Sequence, residues 1–213
     1  MTTEAQITAW LATQQDAMLA ELKEMVNTDG GSYDKAGVDK TGAQVKRFLE
    51  GHGIAVEVVP REKHGDCLRG IVPGAHEIAS GNQQKNIVLM GHRDTVFPKG
   101  EPERRPFTIQ GNIAYGPGVA DMKAGIVMNM FVLAAFHKFG GAPGPLVGLF
   151  TGDEEIGSPE GRPVIENEAR SARVVFNSEP GRPSGNVVTG RKGGVFSVVD
   201  IEGKAAHSGG NFE

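Results

Sequence analysis

Apolar positions follow two rhythms along this chain, one at helical spacing and one in short continuous runs. Their alternation predicts an α/β fold. Ile7, Leu11, Met18, Leu22 and Met25 fall on one helical face, predicting an amphipathic first helix that ends near residues 27–31. Residues 38–51 read as a second helix. The runs at 54–59 and 67–72 predict two strands separated by the polar stretch 61–66. Residues 86–90 and 146–151 are almost wholly apolar, as central strands covered on both faces are. Between them, residues 107–109 and 113–115 flank a Gln110-Gly111-Asn112 turn. Residues 122–139 predict a long buried helix with Asp121 at its start, and 173–176 a further strand. The expected architecture is a mixed, largely parallel central sheet with flanking helices.

After Glu179 the texture changes. Residues 180–185 are rich in Pro and Gly, and the runs 187–189 and 195–201 read as strands of a second, antiparallel unit that this chain does not finish. The expectation is a first domain over 1–188 and the start of a second, incomplete α+β domain over 189–213.

Composition narrows the function classes. The 213 residues allow one domain or a domain and a half. With 26 acidic residues against 22 Lys plus Arg, the formal charge is -4, so no basic field exists to hold nucleic acid or anionic lipid. Small molecules are the expected partners. Cys67 is the single cysteine, which excludes an internal disulfide and a multi-thiolate zinc site. The N-terminus lacks a signal-peptide layout, and no run approaches the roughly eighteen consecutive apolar residues of a membrane span. A cytoplasmic protein is expected.

Four segments place potential ligands directly after strand-like or Gly-rich stretches, where α/β enzymes keep their chemistry. The first is Thr151-Gly152-Asp153-Glu154-Glu155-Ile156-Gly157-Ser158. Neighbouring carboxylates there repel one another unless a cation or a proton-transfer task offsets the charge. By itself this run reads equally as a solvated acidic turn. The second is Gly91-His92-Arg93-Asp94-Thr95-Val96, in which His92 and Asp94 share a side of extended backbone. A metal-binding histidine donates its other ring N–H to an oxygen acceptor, and Asp94 is placed to supply one. The third, Gly116-Pro117-Gly118-Val119-Ala120-Asp121, puts Asp121 either at a helix N-cap or between two cations. In the fourth, Asn177-Ser178-Glu179-Pro180, the proline holds Glu179 extended beyond its strand. His92, Asp121, Glu155 and Glu179 together make an N/O donor set suited to zinc and, less selectively, to cobalt or manganese.

These four segments resemble the zinc-dependent exopeptidases related to glutamate carboxypeptidase, aminoacylase and succinyl-diaminopimelate desuccinylase. The resemblance implies two zinc ions in an intact site, with His92, Asp121, Glu155 and Glu179 as ligands and Asp121 bridging. It implies that Asp94 supports the histidine, Glu154 is the general base, and the bond cleaved is an amide in a small peptide or an N-acyl amino acid. The segment Gly203-Lys204-Ala205-Ala206-His207-Ser208-Gly209 resembles the lid of that family, whose histidine reaches an active site across a homodimer; His207 is its counterpart. The family's last metal ligand is a histidine in a chain nearly twice this long, so a fragment or truncated product is expected, with the metal beside Glu155 held more weakly. Its rival is a non-catalytic, metal-binding or dimerising remnant. Nucleotide binding at Gly116-Pro117-Gly118 is the weaker alternative, because Asp121 stands where a dinucleotide fingerprint needs glycine.

Overall fold

A computed structural model of the protein describes residues 2–75, 85–195, 197–203, 207, 209 and 210. The chain divides into two units, Met1–Pro180 and Gly181–Glu213. The first unit ends at Pro180, directly after Glu179, where the texture of the sequence changes.

The expected single first helix is two, α1 (Thr3–Ala12) and α2 (Gln15–Val26). Both the amide and the hydroxyl of Thr13 donate to the Trp10 carbonyl, at 3.0 and 2.7 Å, closing α1 with a tight turn. No Gly or Pro marks the break, so hydrophobic spacing runs straight through it. Helix α3 (Lys35–Gly51) starts where the Asp34 carboxylate accepts from Gly37 N (3.3 Å).

Strands β1 (Val56–Val59), β2 (Cys67–Val72) and β3 (Asn86–His92) follow, then the short helix α4 (Glu101–Arg104). A separate hairpin of β4 (Thr108–Gln110) and β5 (Ile113–Tyr115) precedes the long helix α5 (Ala124–Lys138). Strand β6 (Leu146–Thr151), helix α6 (Arg162–Ser171) and β7 (Ala172–Asn177) complete the first unit. The five-stranded sheet has the order β1-β2-β6-β3-β7. β1, β2 and β6 pair antiparallel, whereas β3 runs parallel to both β6 and β7.

All six residues of β6 are buried, as expected for the middle strand of a sheet covered on both sides. On one face Leu146 and Phe150 join Leu49 of α3 and Met130 and Phe131 of α5 in the main core. Burying one such side chain is worth about 1.5–3 kcal/mol. On the other face Val147, Leu149 and Val88 pack against Val164 and Ile165 of α6. The segment Val119–Lys138 is long and apolar enough to cross a membrane by length and composition, which counting consecutive apolar residues does not register. Its residues Ile126, Met130 and Leu133 are fully buried within this unit.

The parallel register matters most for chemistry. His92 lies opposite Thr151, and Met90 opposite Asn177, so β3, β6 and β7 end along one edge of the sheet. The loops carrying His92-Arg93-Asp94, Glu154-Glu155 and Glu179 therefore start side by side.

In the second unit the strands expected at 187–189 and 195–201 do not form among the described residues. Val195, Val198 and Ile201 are each more than 85% exposed, at 91, 87 and 88%. A strand is stable only when a neighbour satisfies its backbone groups and covers its apolar face, and alternation cannot reveal whether that neighbour is present.

Candidate metal centre

His92 ends β3 almost fully buried, at 2% exposure. Its Nδ1 donates to the Asp94 main-chain carbonyl at 3.0 Å, with Asp94 Oδ1 slightly farther at 3.4 Å. Asp94 is thus the oxygen acceptor beside the ring, with its main-chain carbonyl nearer than its carboxylate. That carboxylate accepts instead from Ser32 Oγ (2.7 Å), Glu154 N (3.1 Å) and Glu155 N (3.2 Å). Asp94 thereby fixes both the imidazole and the glutamate turn, a short 3₁₀ helix at Glu154–Ile156.

Bound at Nδ1, the ring turns Nε2 toward three carboxylates. Asp121 Oδ1 lies at 3.2 Å, Glu179 Oε1 at 3.6 Å and Glu154 Oε2 at 3.8 Å. Asp121 is no helix cap: it sits with extended backbone, φ -117° and ψ 97°, in the turn Val119–Lys123, and α5 begins only at Ala124. Its side chain is thus free to face His92. Glu179 follows β7, where Asn177 Nδ2 donates to its Oε1 (3.4 Å).

One donor atom each from His92, Asp121 and Glu179 lie within 4.8 Å of one another. Glu155 stands outside that trio, in the wall of an adjoining cleft. His207 belongs to the second unit, exposed, and accepts from Gly209 N at 3.1 Å. Its motif neighbours Lys204, Ala205, Ala206 and Ser208 lie outside the described residues.

The electrostatics favour positive charge at Nε2. Burial pulls the His92 pKa down, yet hydrogen bonds and charge from Asp94 and Glu179 outweigh it and push it up to about 11. Glu179 is held below the ordinary carboxylate value, chiefly by His92. Glu154 and Glu155 are raised, first by burial and then by neighbouring carboxylates despite the relief from His92. Five carboxylates around one imidazole, all N/O donors without thiolate, fit a divalent cation.

Residues 88–208 match the peptidase family M20/M25/M40. The chain belongs to this family. It is 34% identical over 200 residues to carboxypeptidase G2 of Pseudomonas sp. (strain RS-16), covering 92% of this chain and 46% of that protein. It is 30% identical over 204 residues to acetylornithine deacetylase of Vibrio atlanticus (strain LGP32), covering 92% of this chain and 50% of that one. The chain thus spans about half the length of these relatives. Its fold is similar to that of human carnosine dipeptidase 1, with a TM-score of 0.69 at 17% identity over 85% of this chain and 42% of the other.

Around this M20-type site, sequence spacing misses four supporting side chains. Ser32 reaches Asp94 across 62 positions. Arg93, fully buried, donates to the carbonyls of Val38 (2.6 Å) and Asp66. Asp153 Oδ2 accepts from Glu160 N and Gly161 N, both at 2.8 Å, closing the loop that carries the glutamates. Lys123 donates to the Thr28 carbonyl (3.1 Å), and burial lowers its pKa to about 8. Lys123, a charge at the head of an apolar stretch, was the available signal, since burying a charge requires partners; nothing local marks Arg93, set between His92 and Asp94.

Proposed function

We propose that this chain carries the hydrolytic site of a metal-dependent peptidase or N-acyl amino acid hydrolase, acting on an amide bond. The observation behind the reading is the convergence on His92 Nε2 of Asp121, Glu179 and Glu154 from three separate loops. His92, Asp121 and Glu179 would hold a zinc ion, or cobalt or manganese, and Glu155 would contribute to a second. When bound, such cations supply Lewis acidity, polarising the amide carbonyl and making a nearby water easier to deprotonate.

The chain's own residues do the rest. Asp94 holds the Glu154-Glu155 turn by its backbone amides and fixes His92 through its carbonyl. Glu154, partly exposed and with its pKa raised mainly by burial, takes a proton from water and returns it to the leaving amine. His207 is assigned to the lid that begins at residue 189 and would donate to the developing oxyanion in a homodimer.

A carboxypeptidase and a deacylase share all these groups. A panel of dipeptides and N-acyl amino acids, assayed with added zinc or cobalt, distinguishes them. Glu154→Ala is expected to lower kcat by at least about a hundredfold while metal content stays at the wild-type level. Wild type that retains metal and hydrolyses nothing would favour the remnant, and equal activity in both proteins would remove Glu154 from the mechanism.

A further inference from the structure

We propose that a cleft of about 500 Å³ beside Glu155 receives a bulky apolar substituent of the substrate, adjoining the amide that is cleaved. The proposal rests on the amide-hydrolysis reading and adds a substrate class to it.

The cleft lies between residues 31–34, residues 95–99 and the turn holding Glu155 and Ile156. Its volume falls within the range typical of small-molecule sites, roughly 300–1,000 Å³. Tyr33, Val96, Phe97, Pro98 and Ile156 give it a mainly apolar lining. Tyr33 and Val96 are 82% and 67% exposed, an unusual position for large apolar side chains beside a cluster of carboxylates. A charged pair, Lys99 and Asp34 at 3.5 Å, stands among the lining residues.

Two observations tie the cleft to the reaction site rather than to a partner protein. Ser32 and Glu155 both line it, and both donate to the same oxygen, Asp94 Oδ2, at 2.7 and 3.2 Å. The cleft wall and the catalytic turn therefore share one anchor, so a group in the cleft lies next to the carboxylates. The walls are also built before any ligand arrives. Thr95 N donates to Gly30 O (2.7 Å) and Ser32 N to Thr95 O (3.2 Å), zipping the two loops together. A Cβ on Gly31 would come within 2.6 Å of the Phe97 carbonyl, so glycine permits this close approach. A rigid apolar cleft loses little entropy on accepting a rigid apolar group.

Ligand-observed NMR titration of N-acetyl-phenylalaninamide and N-acetyl-glycinamide, with zinc present, tests binding separately from turnover. Matching kcat/KM values are measured on phenylalanyl and glycyl amide substrates. The phenylalanyl compounds are expected to be favoured roughly ten- to a hundredfold. Val96→Asp and Tyr33→Ala, both at exposed positions, are expected to shrink that ratio severalfold without changing zinc content.

Equal binding and turnover of the two series, unaffected by either variant, would overturn the cleft and leave the hydrolase standing. Apolar preference in binding without any hydrolysis would instead sink the amide-hydrolysis reading while supporting the cleft as an apolar site. A dimer that Val96→Asp dissociates, with no ligand preference, would give the cleft to a second copy and overturn the proposal.

Discussion

The two sides of the candidate metal centre are built on opposite principles. On the buried side, His92 and Asp94 are 2% and 0% exposed; Asp94 is bound by groups about 60 residues away in sequence and in turn holds the His92 ring. On the open side, the side chains of Asp121 and Glu154 are 57% and 48% exposed and lie 3.2 and 3.8 Å from His92 Nε2. The contrast separates positioning from chemistry. Asp94 and the Nδ1 side of His92 have their hydrogen bonds satisfied by the fold, whereas His92 Nε2 and the carboxylates around it, which would meet a cation or water, face one another across the open side.

The most severe way to break this comparison is to remove a buried support. Arg93→Leu deletes the donors to the Val38 and Asp66 carbonyls. It is expected to cost about 3 kcal/mol in guanidinium unfolding, because the Asp66 carbonyl loses its Arg93 donor and a smaller side chain leaves a void in a fully buried site, while the Val38 carbonyl keeps the Thr41 hydroxyl. A loss below about 1 kcal/mol would mean the buried side is not a rigid support.

A paired test sharpens the same point. Asp94→Ala removes the acceptor of three hydrogen bonds and is expected to lower stability by about 2–3 kcal/mol. Glu154→Gln, measured on metal-free protein, is expected to fall within about 0.5 kcal/mol of wild type or slightly above it. Removing its charge relieves both the burial penalty and repulsion from Glu179, Asp94 and Asp121. Similar losses in the two variants would erase the distinction.

The smallest effect concerns pH at the periphery of the buried side. Burial pushes the Asp66 pKa up, but Lys35 at 2.6 Å and the Arg61 N–H at 2.8 Å hold it below its ordinary value. Because the folded pKa lies below the unfolded one of about 3.9, this stabilisation is complete above about pH 4 and is lost as pH falls through the folded value. Asp66→Asn is expected to flatten the acid side of the stability curve by about 1 kcal/mol or less, since the pair is partly solvated. An unchanged slope would remove Asp66 from the support.

Local signals made much of this arrangement readable. Continuous apolar runs located β3 and β6, and the candidate ligands beside them were singled out by residue type and by position next to a strand. Parallel pairing then brings His92, Glu154 and Glu179 to one edge, a consequence of topology that spacing alone implies only loosely. What escaped depends on distant partners. Ser32 matters because Asp94 is 62 residues away, and Arg93 because Val38 is 55 residues away. The break at Thr13 comes from a hydroxyl turning onto Trp10, which leaves no trace in hydrophobic spacing. Residues 195–201 alternate as a strand does, but alternation describes a face and not the neighbour that must cover it.

Zinc binding by equilibrium dialysis tests the central claim most directly, comparing wild type, His92→Ala and Glu154→Ala in one buffer. Glu154, proposed as the proton carrier, is expected to be dispensable for binding, and the buried His92 imidazole indispensable. Wild type and Glu154→Ala should therefore bind with affinities within about tenfold of each other, while His92→Ala weakens binding by more than about a hundredfold. Zinc bound equally well by His92→Ala, or not at all by wild type, would contradict the account.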